Sequence, residues 1–242
     1  VIGKDIDTNG PWNSIDEIPL PREIDRLKVY LRWNETDVTS EDRRGRDDGL
    51  TLLKYAIMNN CVEATRDIVR AIVQKYPTAT SNERVALLGG ATSSSLIESM
   101  SVSTMYVPLY ATNLHCAMVC AGHEIVECLL DAGVDPNIRG AKSSSSAFAA
   151  ATIAMRVDNV DFWLTRFPKC KQLEEMTIFG QTPLFHVLFM PGGGKLPMVK
   201  RLLTAGARVD ITNNFGRSLF SMAAGNPDCG TYILKELVRH VK

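Results

Sequence analysis

The stretch at residues 112–138, TNLHCAMVCAGHEIVECLLDAGVDPNI, constrains the fold more than any other part of the chain. Thr112 can cap the first of two short helices with its hydroxyl, and Ala117 is small enough for close helix packing. Gly133 suits a left-handed C-cap, so it ends the second helix. The second helix carries an apolar stripe made of Ile125, Val126, Leu129 and Leu130. One such helical pair cannot bury its own apolar face, so further pairs are expected to stack on it.

The same pattern recurs along the chain. Each copy begins with a Ser or Thr that is followed five residues later by Ala, or once by Val187. These openings are Thr51, Ser81, Thr112, Ser146, Thr182 and Ser218. The last four are spaced by 34, 36 and 36 residues, and the 61 residues between Thr51 and Thr112 correspond to about two repeats. This recurrence predicts a stack of repeats over most of the chain.

These landmarks resemble the ankyrin repeat, a unit of about 33 residues with a Thr-Pro-Leu-His-x-Ala signature. Thr112, His115 and Ala117 match that signature, and residues 182–187 read Thr-Pro-Leu-Phe-His-Val. The resemblance implies an all-α repeat solenoid, in which stacked helix-turn-helix repeats are joined by β-hairpin finger loops. It also implies that the fingers and the first helices line a concave surface for partner proteins.

The predicted organisation has two parts. Residues 1–47 are expected to form a lead-in and an N-terminal capping helix, on the apolar pattern of residues 23–33. Residues 48–242 are expected to form the ankyrin repeat stack, with about five to six repeats and a C-terminal cap at 218–242 whose outer face is polar. Residues 77–110 are interpreted as a degenerate repeat, with a long insertion as the alternative.

The composition disfavours several classes of partner. The 27 basic and 27 acidic residues cancel, which argues against nonspecific binding of nucleic acid or of an anionic membrane. No apolar run approaches the roughly 20 residues of a transmembrane helix, and no secretory signal is visible. Six cysteines in 242 residues do not indicate a disulfide framework. We therefore expect a monomer in a reducing compartment, the cytoplasm or the nucleus.

Two motifs resemble sites of chemistry, and the repeat explains one of them. A zinc-like cluster consists of His115, Cys116, Cys120 and His123, but both histidines occupy positions where ankyrin repeats carry His. The glycines at 192–194 precede a lysine, but Phe189 stands where a phosphate loop requires its first glycine. We therefore expect no catalytic residue, no metal and no cofactor.

Partner binding is predicted at positions that the repeat does not need to bury. Finger candidates lie just before the capping residues, and first-helix candidates lie late in the helices that face the concave surface. Aromatic, Met and Arg side chains at such positions are typical of protein-binding surfaces. The predicted set is Asp47, Asp48, Leu50, Val119, Cys120, Lys142, Ile178, Phe179, Gln181, Phe189, Met190, Phe215 and Arg217.

Three functional hypotheses follow. The first is a non-enzymatic protein–protein interaction module whose partner the sequence does not identify. The alternative is a regulatory or targeting segment of a larger enzyme or channel, which the full-length gene product would distinguish from the first. The third and weakest is an enzyme that uses the cysteine and histidine cluster.

The metal question has a direct test. If Cys116 and Cys120 are scaffold residues, replacing both with Ser should leave the metal content of the purified protein unchanged, because none is bound. The measurement is elemental analysis of the wild type and the double variant. About one equivalent of zinc in the wild type, lost in the variant, would contradict this prediction.

Overall fold

A computed structural model describes residues 52–90, 112–139, 145–177, 179–189, 194–225 and 230–240. These ranges contain eleven α-helices and one 3₁₀ helix, Lys171–Glu174. No helix among them combines the length and the apolarity that crossing a bilayer requires. The α-helices are α1 (Leu52–Met58), α2 (Val62–Lys75), α3 (Asn82–Gly89), α4 (Asn113–Cys120), α5 (His123–Asp131), α6 (Ala147–Ile153), α7 (Val157–Arg166), α8 (Pro183–Phe189), α9 (Lys195–Thr204), α10 (Leu219–Ala224) and α11 (Gly230–His240).

Ten of these helices form five consecutive pairs: α1 with α2, α4 with α5, α6 with α7, α8 with α9, and α10 with α11. The first helix of each pair packs on the first helix of the next, and the second helices do the same. The result is a solenoid of two helical layers with a continuous core between them. The predicted all-α repeat solenoid is therefore confirmed.

The capping residues predicted from the sequence begin the helices. Each hydroxyl accepts a hydrogen bond from the backbone N–H three residues later, which satisfies one of the free donors at a helix N-terminus. Thr51 lies outside the described residues. The donors are the N–H groups of Arg84 to Ser81 (3.2 Å), His115 to Thr112 (3.4 Å), Ala149 to Ser146 (3.2 Å), Phe185 to Thr182 (3.4 Å) and Ser221 to Ser218 (3.1 Å).

The small residues at the fifth position after each cap lie on the first helices and belong to the buried core. All of the described ones that belong to the stack are fully buried, and they are Ala56, Ala117, Ala151, Val187 and Ala223. A small side chain at this position lets the backbones of neighbouring helices approach closely, since larger groups would hold them apart.

The second helices bury the predicted apolar stripe. Ile125, Val126, Leu129 and Leu130 of α5 are buried, and Gly133 follows with a positive φ of 93°. The equivalent residues of α9 are buried as well, and Gly206 follows them with a φ of 95°. These left-handed glycines end the helices as predicted.

The described part of residues 77–110, which is residues 77–90, contains one helix, α3. α1 packs directly on α4 and α2 packs directly on α5, while α3 packs against α2 and α4 from outside this series. Arg84 anchors α3, because its guanidinium donates hydrogen bonds to the carbonyls of Ala132 at 2.7 Å and Pro77 at 3.0 Å. The degenerate repeat over residues 77–110, with a long insertion as its alternative, stays a prediction, because residues 91–110 lie outside the described residues.

Polar side chains of the third pair, α6 and α7, join it to the pair before it. The Asn159 amide on α7 donates to the carbonyls of Met118 and Ala121, both at 2.9 Å, at the end of α4. The Arg156 guanidinium donates to the same Ala121 carbonyl at 2.7 Å. These bonds satisfy carbonyls that a helix C-terminus otherwise leaves free.

The last helix only partly resembles the predicted polar cap. Ile233 and Leu237 of α11 are buried against the stack, but Tyr232 and Val238 are exposed. The outer face of α11 is therefore mixed rather than polar.

The buried stripe predicts a large effect for one substitution. Leu129→Ala should lower the free energy of unfolding by roughly 2–5 kcal/mol, since it removes a fully buried side chain between two helices. Glu127 on the same helix is exposed, so Glu127→Ala should change the free energy of unfolding by less than about 0.5 kcal/mol. Chemical denaturation of both variants is the measurement, and equal costs would show that α5 is misoriented.

Candidate protein-binding surface

Two neighbouring finger loops carry predicted binding residues, and we name them finger A (residues 177 and 179–181) and finger B (residues 212–218). In finger A the Thr177 N–H donates to the Gln181 carbonyl at 3.0 Å. In finger B, Thr212 and Ser218 form an antiparallel bridge, and the Asn213 N–H donates to the Arg217 carbonyl at 2.9 Å. Each loop is therefore closed by backbone pairing at its base.

A polar side chain holds the tip of each finger. The Thr177 hydroxyl accepts from the N–H groups of Phe179 at 3.3 Å and Gln181 at 3.4 Å. The Asn213 carboxamide oxygen accepts from the N–H groups of Phe215 and Arg217, both at 3.0 Å. These local bonds fix the turn before any partner arrives.

A backbone hydrogen bond connects the two fingers. The Asn214 N–H of finger B donates to the Phe179 carbonyl of finger A at 3.0 Å. Between them, Gly180 has a positive φ of 70°, and a Cβ atom there would lie 2.5 Å from the Asn214 carboxamide oxygen. Finger A thus requires glycine at this position for two reasons, its backbone conformation and the close approach of finger B.

The fingers present two phenylalanine rings side by side, which we call the aromatic pair. The ring centroids of Phe179 and Phe215 lie 5.9 Å apart with 29° between the ring planes, a stacked arrangement. Phe179 remains 47% exposed and Phe215 remains 67% exposed. Two large apolar side chains therefore face solvent on loops whose backbone is already fixed.

The other predicted binding residues differ in how far they are exposed, and several are not described. Phe189, at the end of α8, is 50% exposed, and Arg217 is also exposed, whereas Cys120 is half-buried. Asp47, Asp48, Leu50, Lys142, Ile178 and Met190 lie outside the described residues.

Two of the predicted positions are corrected by the structure. Val119 is only 8% exposed, because α4 is packed between α1 and α6 and leaves little of this side chain free. Gln181 is also 8% exposed, since it lies at the base of finger A and not at its tip. Neither can offer a large contact area to a partner.

Sequence reasoning missed Met176, which is 51% exposed immediately before finger A. It lies in the irregular segment after the 3₁₀ helix, where the sequence shows no period. A methionine in such a segment was the available signal, because Met is enriched at protein-binding surfaces.

The histidine of the zinc-like cluster supports a finger loop. His115 is fully buried, its Nε2 donates to the Ser145 carbonyl at 2.8 Å, and its Nδ1 accepts from the Thr112 hydroxyl at 2.8 Å. Burial lowers the pKa of His115, so the ring is neutral at pH 7. Both ring nitrogens are therefore occupied in joining α4 to the loop before α6.

The thiols of the cluster are poor nucleophiles. Burial raises the pKa of Cys116 to about 11 and also raises that of Cys120. A thiol in this state stays protonated at pH 7, whereas metal binding and nucleophilic attack need the thiolate. His123 lies apart from them, exposed, with its ring 5.7 Å from that of Phe162. Within the described parts of the chain, no group of three His, Cys, Asp or Glu side chains could hold a metal ion.

The family model of the ankyrin repeat matches residues 111–141, the second of the five stacked pairs. This segment of the chain is an ankyrin repeat. No curated protein sequence matches it significantly.

Solved structures confirm that the chain has the fold of an ankyrin-repeat stack. The ankyrin repeat protein EF0377 superposes with a TM-score of 0.61 at 20% identity, over 91% of this chain and 96% of that one. An ankyrin repeat domain from Acinetobacter baumannii AYE, ABAYE2397, superposes with a TM-score of 0.62 at 16% identity, over 91% of this chain and 94% of that one. A third similar chain comes from the complex of the Bdellovibrio bacteriovorus predatory endopeptidase Bd0816 with immunity protein Bd3460. It superposes with a TM-score of 0.58 at 18% identity, over 95% of this chain and 99% of that one.

The contact between the fingers predicts a difference between two glycines. Gly180→Ala should cost about 1–2 kcal/mol for the left-handed backbone and more for the clash with Asn214. Gly216 has a similar φ of 74°, but a Cβ atom there would meet open space. Gly216→Ala should therefore cost only the energy of the left-handed backbone. Thermal unfolding of both variants is the measurement. Equal melting temperatures would show that fingers A and B are not in contact.

Proposed function

We propose that this ankyrin-repeat protein is a non-enzymatic protein–protein interaction module that binds its partner through fingers A and B. The observation that carries the proposal is the aromatic pair, two exposed rings stacked 5.9 Å apart on adjacent fingers. Ankyrin repeats are in general protein-interaction modules, and this chain places large apolar side chains where that fold presents its fingers.

The energetics of the aromatic pair favour protein binding. Truncating a large aromatic side chain that is buried in an interface often weakens the binding free energy by about 2 kcal/mol or more. The hydrogen bonds of Thr177, Asn213 and Asn214 hold both fingers in place, so binding need not order them. Less of the binding free energy is then lost to conformational entropy.

The comparison structures are consistent with a protein partner. One of them is a complex between an endopeptidase and an immunity protein, in which a chain of similar fold takes part in a protein–protein assembly. We extend to this chain only the general feature that a stack of this kind recognises another protein.

A non-enzymatic role agrees with the chemistry of the described residues. The thiols of the cysteine cluster are protonated at pH 7, and His115 is occupied by structural hydrogen bonds. The five described cysteines form no disulfide with one another. We accordingly propose a reducing compartment, the cytoplasm or the nucleus, as the place where the module acts.

The test separates binding from stability. Phe179→Ala combined with Phe215→Ala should weaken binding of the partner, first identified by affinity purification, by about 2 kcal/mol or more. The free energy of unfolding should fall by at most about 1.5 kcal/mol, since exposed sites matter little and an aromatic pair contributes about 0.5–1.5 kcal/mol. Affinity is measured by titration calorimetry and stability by chemical denaturation.

Tyr232→Ala is the matched control, because Tyr232 is an aromatic residue of similar exposure on α11, away from the fingers. It should leave the affinity unchanged. Normal binding by the double finger variant would show that the partner uses another face. Unfolding of that variant would show that the aromatic pair belongs to the core.

A further inference from the structure

The charge of the chain is unevenly distributed, although it sums to zero. Residues 178–242 contain eight Lys or Arg and three Asp or Glu, a net charge of +5. Residues 1–177 contain 19 Lys or Arg and 24 Asp or Glu, a net charge of −5. Phe179 and Phe215, the aromatic pair, therefore both belong to the basic part of the sequence.

Local ion pairs neutralise several of these basic groups but leave one beside the aromatic pair. Arg217 is exposed in finger B, two residues after Phe215, and has no carboxylate partner among the residues that the structure describes. An unneutralised guanidinium next to an exposed apolar pair favours a ligand with the opposite charge. The neutralised groups of this region are Arg201 by Asp161, Arg208 by Asp210 and Arg239 by Glu236.

We propose that fingers A and B recognise a protein segment in which one large apolar side chain is flanked by Asp or Glu. The apolar side chain packs on the aromatic pair, and a neighbouring carboxylate pairs with the Arg217 guanidinium. The net charge of +5 over residues 178–242 attracts acidic segments over longer distances and raises their association rate. This inference rests on the proposed function and specifies the chemistry of the partner.

Aromatic and basic groups together also occur in proteins that bind single-stranded nucleic acid, where successive bases stack on free ring faces. Here Phe179 and Phe215 stack on each other, so one face of each ring is already covered. Such proteins also need a continuous cationic groove for the phosphates. The two other exposed cations of this region without a described carboxylate partner, Lys200 and Lys235, lie on helices α9 and α11 rather than on the fingers. An acidic protein segment is therefore the better match.

The test uses a library of short random peptides displayed on phage and selected on the intact chain. Peptides retained by the Phe179→Ala and Phe215→Ala double variant are removed. The remaining sequences should share a large apolar residue next to Asp or Glu. Arg217→Glu should lower the affinity for these peptides by about fivefold, which corresponds to the contribution of a good exposed ion pair. Peptides with Lys in place of Asp or Glu should show the opposite preference, binding Arg217→Glu better than the wild type.

Lys200→Glu is the control for net charge, since it makes the same charge change on α9, outside the fingers. It should affect the peptides much less than Arg217→Glu. Equal effects of the two variants, or selected peptides without acidic residues, would overturn the inference and leave the proposed function standing. Failure to select any peptide that depends on the aromatic pair would overturn both. So would competition of the selected peptides by oligothymidylate.

Discussion

Close packing between the first helices is the contact on which the rest of this structure depends. Ala56, Ala117, Ala151, Val187 and Ala223 of these helices are all fully buried. Small side chains at buried positions let neighbouring helices approach closely. The neighbouring fingers A and B meet through the Asn214 N–H and the Phe179 carbonyl because α8 and α10 are held this close. The position of the proposed binding surface therefore depends on close packing inside the stack.

Much of the fold could be predicted because its determinants are local in sequence. A hydroxyl three residues before the N–H that it caps, a small residue two positions further and a glycine after an apolar stripe are each readable over a few residues. All of the predicted caps that fall in described parts of the chain are present. The exposure of Phe179, Phe189 and Phe215 could also be predicted, since the repeat requires no large side chain to be buried there.

The errors arose where the answer depends on residues distant in sequence. Ser81 caps a helix, but the direct packing of α1 on α4, which places α3 beside this row, depends on residues distant in sequence. Val119 faces α6, which begins 28 residues later at Ala147, so its burial could not be read from its own helix. One missed signal was readable. Asn159 occupies the stripe position that Ile125 fills in the preceding repeat, and a polar residue at a buried position indicates a hydrogen-bonding task. Its partners, the carbonyls at the end of α4, belong to that preceding repeat.

The bonds made by Asn159 and Arg156 also determine where the chain can be divided. A fragment that stopped between α5 and α6 would retain both helices of its last repeat but would lose the donors for the carbonyls of Met118 and Ala121. A single helical pair is thus not a self-sufficient module, because the carbonyls at the end of its first helix are hydrogen-bonded by side chains of the following pair. Anyone who shortens this protein, or transplants a repeat from it, must carry the following second helix along or supply a substitute for its asparagine.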